Sequence, residues 1–382
     1  MHRRRFLQAG AAVTAATFCG WARAANQDTP ARLLVLIELR GGNDGLNTLV
    51  AVDDGRYYDL RPRLALRSDA LVPLTPGAAL HASLAPWLPL WNAGEMAVLQ
   101  GVGYPQPDLS HFRSIEIWDT ASASSEVVQT GWLTRVADTS ALFKAASADG
   151  VILGAADLGP FSGGARAVAL ADAQRFSTQA RLAAPAALPS RGALAHIVRV
   201  ENDIVRAGAD LAPTQALSTE FPRTPFGQAA RQAALIAASR RVPVIRITLS
   251  GFDTHQNQLA LHAALLKQVA DGVVALRTAL QETGVWHDTL MLTYSEFGRR
   301  PRENGSGGTD HGTATAHFAF GPKVRRGLYG APPDLGRLDA NGNLAYAIDF
   351  RSVYATVLER WWALDSRRAL RGAFAPVDFL AA

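Results

Sequence analysis

The chain has 382 residues, of which 48% are hydrophobic and 19% charged, with 33 glycines, 20 prolines and a single cysteine. This hydrophobic content excludes an intrinsically disordered chain, and the length allows one large α/β domain or two modest ones. One cysteine cannot form an intrachain disulfide framework.

The formal net charge of +5 is concentrated at the N-terminus. Residues 1–24 contain four arginines and no acidic residue, so removing them leaves 38 − 4 = 34 basic residues against 33 acidic ones. A chain that is nearly neutral without its first residues gives no support to nucleic-acid binding. We therefore expect no nucleic-acid partner.

The first 24 residues have the layout of a twin-arginine signal peptide. The run His2-Arg-Arg-Arg-Phe-Leu-Gln8 precedes an Ala-rich apolar stretch and an A-x-A cleavage site at Ala22-Arg23-Ala24. The alternative is an ordinary basic N-terminus. We predict export by the twin-arginine translocase to the periplasm or outside the cell. We also predict no stable membrane span, because the Ala-rich stretch is shorter than the about 20 apolar residues that a spanning helix needs.

Six apolar runs predict buried strands. The first, residues 33–39, is almost continuously apolar and is bounded by Gly41-Gly42, which is typical of a strand buried on both faces. The others are Met96–Leu99, Gly150–Leu153, Val242–Leu249, Thr289–Tyr294 and the weaker Ala316–Phe320.

Helical patterns alternate with these runs, most clearly over Gln258–Glu282 and again over Arg351–Trp362. The alternation predicts an α/β fold with three layers, in which helices cover both faces of a mostly parallel sheet. Residues 165–240 are Ala-rich and punctuated by prolines, and they predict a helical insertion in a single domain over residues 25–382. The Gly-rich, polar segment Arg300–Thr313 predicts a loop.

Acidic residues and histidines occur in four segments that follow predicted strands, where open α/β sheets bind ligands. They are Asp44, the pair Asp253 and His255, Glu296 with Arg299 and Arg300 after it, and the pair Asp310 and His311. Mixed carboxylates and imidazoles suit Zn, Mn, Fe, Mg or Ca, so the segments together predict a divalent metal site. Each segment taken alone has a structural alternative. Asp44 and Asp253 also suit helix caps. Glu296 suits a surface salt bridge, and the pair Asp310 and His311 suits a turn.

Ser110 is a candidate nucleophile. The segment Pro107-Asp-Leu-Ser-His-Phe-Arg-Ser-Ile-Glu-Ile-Trp118 predicts a helix that begins after this serine. Backbone N–H groups at a helix N-terminus stabilise an anion, which suits a serine that becomes phosphorylated or sulfated. Arg113 or Arg299 would bind the remaining oxyanion charge. Plain N-capping explains Ser110 equally well, and the missing G-x-S-x-G elbow argues against a serine esterase of the α/β-hydrolase type.

Seven motifs occur in order along the chain after the signal. They are Arg40-Gly-Gly-Asn-Asp-Gly-Leu-Asn47, Gly101-Val-Gly-Tyr-Pro105, Ser110-His-Phe-Arg113, Gly251-Phe-Asp-Thr-His255, Ser295-Glu-Phe-Gly-Arg299, Gly308-Thr-Asp-His-Gly312 and Asp349-Phe-Arg351. Together they resemble the exported bacterial family known as domain of unknown function 1501. Their layout is also similar to that of the alkaline phosphatase and sulfatase superfamily.

The superfamily resemblance implies an alkaline-phosphatase-like fold and a set of roles. Asp44 is similar to the metal ligand after the first strand, Ser110 to the nucleophile and His311 to the last histidine ligand, while Asp253 and His255 would stand for another ligand pair. Glu296 falls where the superfamily carries an Asp followed by His, and Phe297 replaces that His. This departure weakens a second metal site. No Ser-x-Pro-x-Arg motif occurs, which excludes a formylglycine sulfatase.

Two functions remain open from the sequence. The first is an exported hydrolase of phosphate or sulfate esters, small or polymeric, that uses Ser110 and one or two divalent metals. The second is a non-catalytic exported protein that binds a partner or polymer through the same cleft. Acidic strand ends favour the first and the missing His at position 297 favours the second. A redox enzyme is a weaker idea, because no cysteine cluster, haem motif or dinucleotide fingerprint supports it.

Overall fold

The computed structural model describes residues 32–172 and 215–381, together with positions 178, 198, 202, 208 and 210–212 between them. The predicted signal peptide and part of the predicted helical insertion lie outside the described residues.

Short strands and helices alternate along most of the chain. The strands are β1 (Leu33–Arg40), β2 (Leu49–Ala51), β3 (Leu71–Thr75), β4 (Ala78–His81), β5 (Met96–Gly103), β6 (Gly150–Leu153), β7 (Ala167–Ala169), β8 (Val244–Ser250), β9 (Thr289–Tyr294), β10 (Arg299–Glu303), β11 (Thr309–His311), β12 (Thr315–Phe320), β13 (Gly327–Tyr329) and β14 (Ile348–Asp349). The α-helices are α1 (Gly55–Leu60), α2 (Leu88–Asn92), α3 (His111–Thr120), α4 (Trp132–Ala137), α5 (Ala141–Ala145), α6 (Pro225–Ala237), α7 (Gln258–Glu282), α8 (Phe350–Thr356) and α9 (Ser366–Leu370).

The main sheet has the strand order β13-β5-β12-β9-β1-β8-β6-β7, with β14 also paired to β5. β12 runs antiparallel to both of its neighbours, and the other pairings are parallel. All six apolar runs form strands of this sheet, so the prediction of a mostly parallel sheet is confirmed. β1 lies at its centre, between β8 and β9.

The two faces of the sheet bury alternate side chains of β1. Leu33, Val35 and Ile37 belong to a core that includes residues of α6 and α7. Leu34 and Leu36 belong to the opposite core, with residues of α3, α4 and α8. This alternation follows from the two-residue period of a strand and confirms the three-layer α/β/α architecture.

The helix α7 has the bounds that its periodicity predicts. In the described part of the chain it is the helix whose length and composition would suit a membrane span, with a mean hydropathy of 1.5 over the best window. Leu266, Val269 and Val273 are nevertheless buried in the core beneath the sheet. α7 is therefore a core helix in this structure.

The predicted loop Arg300–Thr313 is wrong in part, because β10 and β11 form an antiparallel hairpin there, with Arg299 opposite His311. These strands were not predicted because they contain charged residues, whereas the strand prediction depended on apolar runs. A further small sheet, β2-β4-β3, packs beside the main one and has no counterpart in the predicted elements. Within the predicted insertion, β7 is an edge strand and α6 belongs to a core layer.

Candidate metal centre

Side chains from three segments meet beyond the carboxyl ends of β1, β8 and β9. His111 is the first residue of α3, Asp253 and His255 follow β8, and His311 ends β11. Because β1 pairs with both β8 and β9, the segments after these strands share one edge of the sheet. Ligand atoms of His111, Asp253 and His311 lie within 4.8 Å of one another.

The Nε2 atoms of three histidines converge on the carboxylate of Asp253. Nε2 of His255 lies 3.0 Å from Nε2 of His311 and 3.0 Å from Oδ1 of Asp253. Nε2 of His311 is 3.2 Å from the same oxygen, and Nε2 of His111 is 3.3 Å from Oδ2. Nε2 of His111 is buried and makes no hydrogen bond within the described ranges.

The opposite nitrogen of each imidazole faces an oxygen. Nδ1 of His111 lies 2.9 Å from Oε1 of Glu296, Nδ1 of His311 lies 2.8 Å from the Leu109 carbonyl, and Nδ1 of His255 lies 3.3 Å from Oδ1 of Asp310. Acceptors at Nδ1 favour the tautomer that leaves a lone pair on Nε2. Metal-binding histidines are typically held in this way.

The donor set therefore fits a divalent metal ion. Three imidazole nitrogens and one carboxylate oxygen are ligands that Zn²⁺ takes, and imidazole–carboxylate sets also suit other first-row metals. The side chains of His255 and Asp253 are 42% and 44% exposed, so this part of the cluster is open to solvent.

Glu296 stands behind His111 rather than at the centre of the cluster. It is buried, and its Oε1 also accepts a hydrogen bond of 2.8 Å from the Gly41 amide. The hydrogen bond to Glu296 raises the pKa of His111. Asp310 has the same relation to His255. Glu296 and Asp310, which the sequence predicts as metal ligands, therefore orient His111 and His255 instead. Because Glu296 is buried, the alternative of a surface salt bridge does not apply to it.

Arg299 ties the loops of the site together. It is buried, and each of its three guanidinium nitrogens donates to backbone carbonyls. Those acceptors are Gly41, Gly42, Phe252 and Thr309. It also pairs with Asp253 at 2.5 Å. Burial favours a higher pKa for Asp253, but the hydrogen bond and charge of Arg299 lower it to about 2. Arg299 therefore has no free donor for the predicted oxyanion role.

Close backbone approach makes glycine necessary at two positions around the cluster. Gly41 has φ +118°, and a Cβ there would lie 2.3 Å from the amide nitrogen of Asp253. A Cβ on Gly308 would lie 2.2 Å from the carbonyl carbon of His255. Side chains at either glycine would push a ligand loop away.

Phe297 forms an apolar wall beside the cluster. Its ring centroid is 4.9 Å from that of His111 and 4.7 Å from that of His311. The ring is buried, so it occupies the space next to both imidazoles. Position 297 thus contributes packing where a histidine would contribute a ligand.

Ser110 lies at the N-cap position of α3, yet its side chain makes no capping hydrogen bond. The residue is exposed and sits between Leu109, which contacts His311, and His111. Plain capping therefore does not explain this serine. Arg113 points elsewhere, because it donates to the Ser124 and Glu126 carbonyls and pairs with Glu116 at 2.9 Å.

Asp44 belongs to a separate buried ion pair, so the prediction that it is a metal ligand needs correction. Its oxygens lie 2.6 and 3.0 Å from the guanidinium of Arg61, and Oδ1 also caps the turn Gly45–Asn47 through the Leu46 amide. Gln258 donates to the other oxygen. Burial opposes ionisation, but the charge and hydrogen bonds of Arg61 lower the pKa of Asp44. The capping alternative describes this residue better.

His111 is the residue that the sequence analysis did not select. The signal was present, because His111 directly follows Ser110 at the predicted helix start within a recognised motif. Nothing in the sequence indicated that Arg61 would be the partner of Asp44.

The family model described as "Protein of unknown function (DUF1501)" matches residues 81–374. No curated protein matches the chain.

Solved structures similar to this chain include phosphonate monoester hydrolase SpPMH from Silicibacter pomeroyi, at 10% identity and a TM-score of 0.45, covering 90% of this chain and 75% of that one. A protein in the alkaline phosphatase superfamily from Vibrio parahaemolyticus has 11% identity and a TM-score of 0.36, covering 78% and 62%. The lipoteichoic acid synthase LtaP from Listeria monocytogenes has 7% identity and a TM-score of 0.36, covering 76% and 65%. Similarities this distant say nothing about the chemistry of the site.

Proposed function

We propose that this chain, which belongs to the DUF1501 family, is an exported metal-dependent hydrolase of phosphate or sulfate esters. The observation that carries the proposal is the convergence of three Nε2 atoms, of His111, His255 and His311, on Asp253, with an oxygen behind each ring. These four side chains would hold the ion. When bound, a divalent ion polarises the ester and stabilises the leaving oxygen.

Ser110 acts as the nucleophile in this proposal. Its hydroxyl is free of the capping bond and lies one residue from His111, at the start of a ten-residue helix. The Ser110 oxygen forms a bond to the phosphorus or sulfur atom while the ester bond breaks, and the departing alkoxide takes up the serine proton to leave as the alcohol. Water then hydrolyses the serine ester, which releases phosphate or sulfate and restores the hydroxyl. Backbone N–H groups of the first turn of α3 then stabilise the anion attached to the serine.

A single ion fits the chain better than two. Phe297 fills the space beside His111 and His311 with an apolar ring, and Asp44 is committed to Arg61. Neither position offers a ligand for a second ion.

The proposal also gives Phe112 a role. Its side chain is 88% exposed, and the residue directly follows His111 in the chain. In the proposal this ring contacts the apolar part of the substrate. We expect an ester whose alcohol carries an apolar or ring-shaped group.

Metal content and turnover on an ester panel test the proposal together. Metal would be measured by elemental mass spectrometry, and turnover with p-nitrophenyl phosphate, p-nitrophenyl sulfate and bis(p-nitrophenyl) phosphate. We expect about one ion per chain and turnover of at least one ester; Ser110→Ala should lose turnover and keep the metal. Ser125→Ala, an exposed serine outside the cluster, is the matched control and should behave as wild type. Unchanged turnover in Ser110→Ala would overturn the nucleophile assignment.

A non-catalytic binding protein is the second candidate. The two arginines that were predicted to bind an oxyanion favour this candidate. Arg113 and Arg299 both donate to backbone carbonyls instead. This function predicts no turnover on any ester and binding of an extracellular polymer that survives Ser110→Ala.

Export is tested separately. Replacing Arg3 and Arg4 by lysine should retain the protein in the cytoplasm, as cell fractionation would show. Periplasmic protein in that variant would contradict the twin-arginine route.

A further inference from the structure

A cavity of about 250 Å³ lies between the small sheet β2-β4-β3 and the neighbouring edge of the main sheet. Its base consists of the buried residues Leu46, Leu49 and Val50. Its walls include Pro76, Pro332 and Pro333. None of the residues of the metal cluster lines it, so its occupant is not the ester bound at that cluster.

The cavity has features of a binding site that exists before a ligand arrives. Proline fixes the backbone angle φ, so walls made of three prolines change little on binding. The lining is mainly apolar, as small-molecule sites usually are, with few polar groups to orient a ligand.

Gln100 supplies such a polar group. It lies on β5, in a strand that is otherwise almost wholly apolar, and is only 6% exposed. Its Nε2 donates to the Gly330 carbonyl at 3.3 Å, whereas its Oε1 accepts no hydrogen bond from the part of the chain that the structure describes. Gln100 lines the cavity, so a ligand with a donor group would pair with this oxygen.

We propose that this cavity binds a compact, rigid apolar molecule with one hydrogen-bond donor, which is directed at Oε1 of Gln100. A cavity of roughly 150 Å³ is enough for benzene, so this one suits a fused two-ring compound. The proposal is independent of the metal cluster and of any hydrolase activity.

Two probes of nearly the same shape test the donor. Indole has an N–H group and indene has none. We expect indole to bind the full mature chain about tenfold more tightly than indene, because one hydrogen bond to Oε1 of Gln100 separates them. Gln100→Leu should remove that difference by weakening indole alone. Titration calorimetry or saturation-transfer NMR measures both affinities without any turnover.

Filling the cavity tests the location. Ala51→Phe, or Ala78→Leu from the facing strand if the first variant does not fold, should abolish binding of both probes while the unfolding temperature is kept. Ala93→Phe, at an exposed residue outside the cavity, should change nothing. Absence of indole binding to the wild type, equal affinity for indole and indene, or unchanged binding in the filled variants would each overturn the proposal.

Discussion

His255 and His311 face each other through their Nε2 atoms at 3.0 Å, although one follows β8 and the other ends the β10–β11 hairpin. Their Nδ1 atoms face Asp310 and the Leu109 carbonyl. When both Nδ1 atoms carry the proton, the two Nε2 atoms are acceptors and their approach requires a positive charge close by. Nη1 of Arg299 lies 3.5 Å from Nε2 of His255, and a metal ion bound by the cluster would supply the same kind of charge.

We expect His311→Ala and His255→Ala each to lose the metal. Each variant removes one of the four bonds to the ion and leaves three protein ligands, so the ion is held more weakly and should be lost during dialysis against a chelator. Elemental mass spectrometry of the purified variants checks this. His287→Ala, an exposed histidine beyond the cluster, should retain the wild-type metal content. Full metal occupancy in His311→Ala would contradict the assigned ligand set.

Glu296→Gln should weaken metal affinity by about tenfold to a hundredfold without removing a ligand. The neutral amide is a poorer acceptor for Nδ1–H of His111, and outer-shell partners of metal-binding histidines contribute on this scale. Competition with a coloured chelator measures the affinity. An affinity equal to that of the wild type would mean that the contact with His111 does not serve the ion.

Asp44→Asn should lower the free energy of unfolding by about 3–5 kcal/mol, since Arg61 would remain buried without its counter-charge. Both side chains are almost fully buried. Urea unfolding measures the loss, and Asp54→Asn, at the partly exposed cap of α1, should cost about 1 kcal/mol or less. Metal content should stay unchanged in Asp44→Asn. Loss of the ion without loss of stability would restore Asp44 as a ligand.

The same ion pair predicts a dependence of stability on pH. The pKa of Asp44 is lower in the folded chain than its value of about 3.9 in an unfolded one. The stabilisation is therefore fully present above about pH 4 and is lost as the pH falls through the folded-state pKa. In acid, the wild type and Asp44→Asn should approach each other in stability. If the difference in unfolding free energy between the two proteins stays constant as the pH falls through the folded-state pKa of Asp44, this prediction is wrong.

Gly41→Ala should impair both the fold around the site and metal binding. The new Cβ would lie 2.3 Å from the Asp253 amide, and φ is +118°. Metal titration and thermal unfolding together measure the effect. Gly55→Ala is the matched control, because a Cβ there has no neighbour within 4 Å. Normal metal affinity in Gly41→Ala would show that the Asp253 loop can move without consequence.

Much of the fold could be predicted because apolar runs and periodicity depend on burial. The run at residues 33–39 is the central strand β1, and the spacing over Gln258–Glu282 gives both ends of α7. The hairpin β10–β11 escaped prediction because its residues are charged or polar. Arg299 is buried there through hydrogen bonds to carbonyls, which no hydrophobic pattern reveals.

The site could be predicted in part. Asp253, His255 and His311 were selected because polar residues follow strands, and the structure brings them together. Which carboxylate binds an ion and which orients a histidine depends on distances of a few ångströms, so Glu296 and Asp310 could not be assigned from sequence. Asp44 was misjudged because its partner, Arg61, contacts it only through the folded chain.

The cluster draws its side chains from positions as far apart as 111 and 311, through elements on both halves of the main sheet. Only a fragment that spans residues 111–311 contains all four side chains, and a nascent chain completes the set only after the hairpin has emerged. Whatever binds there recognises the finished domain and not the unfolded chain, so its binding energy adds to the stability of the entire domain. Occupancy of one small cleft would thus report on the integrity of the whole molecule.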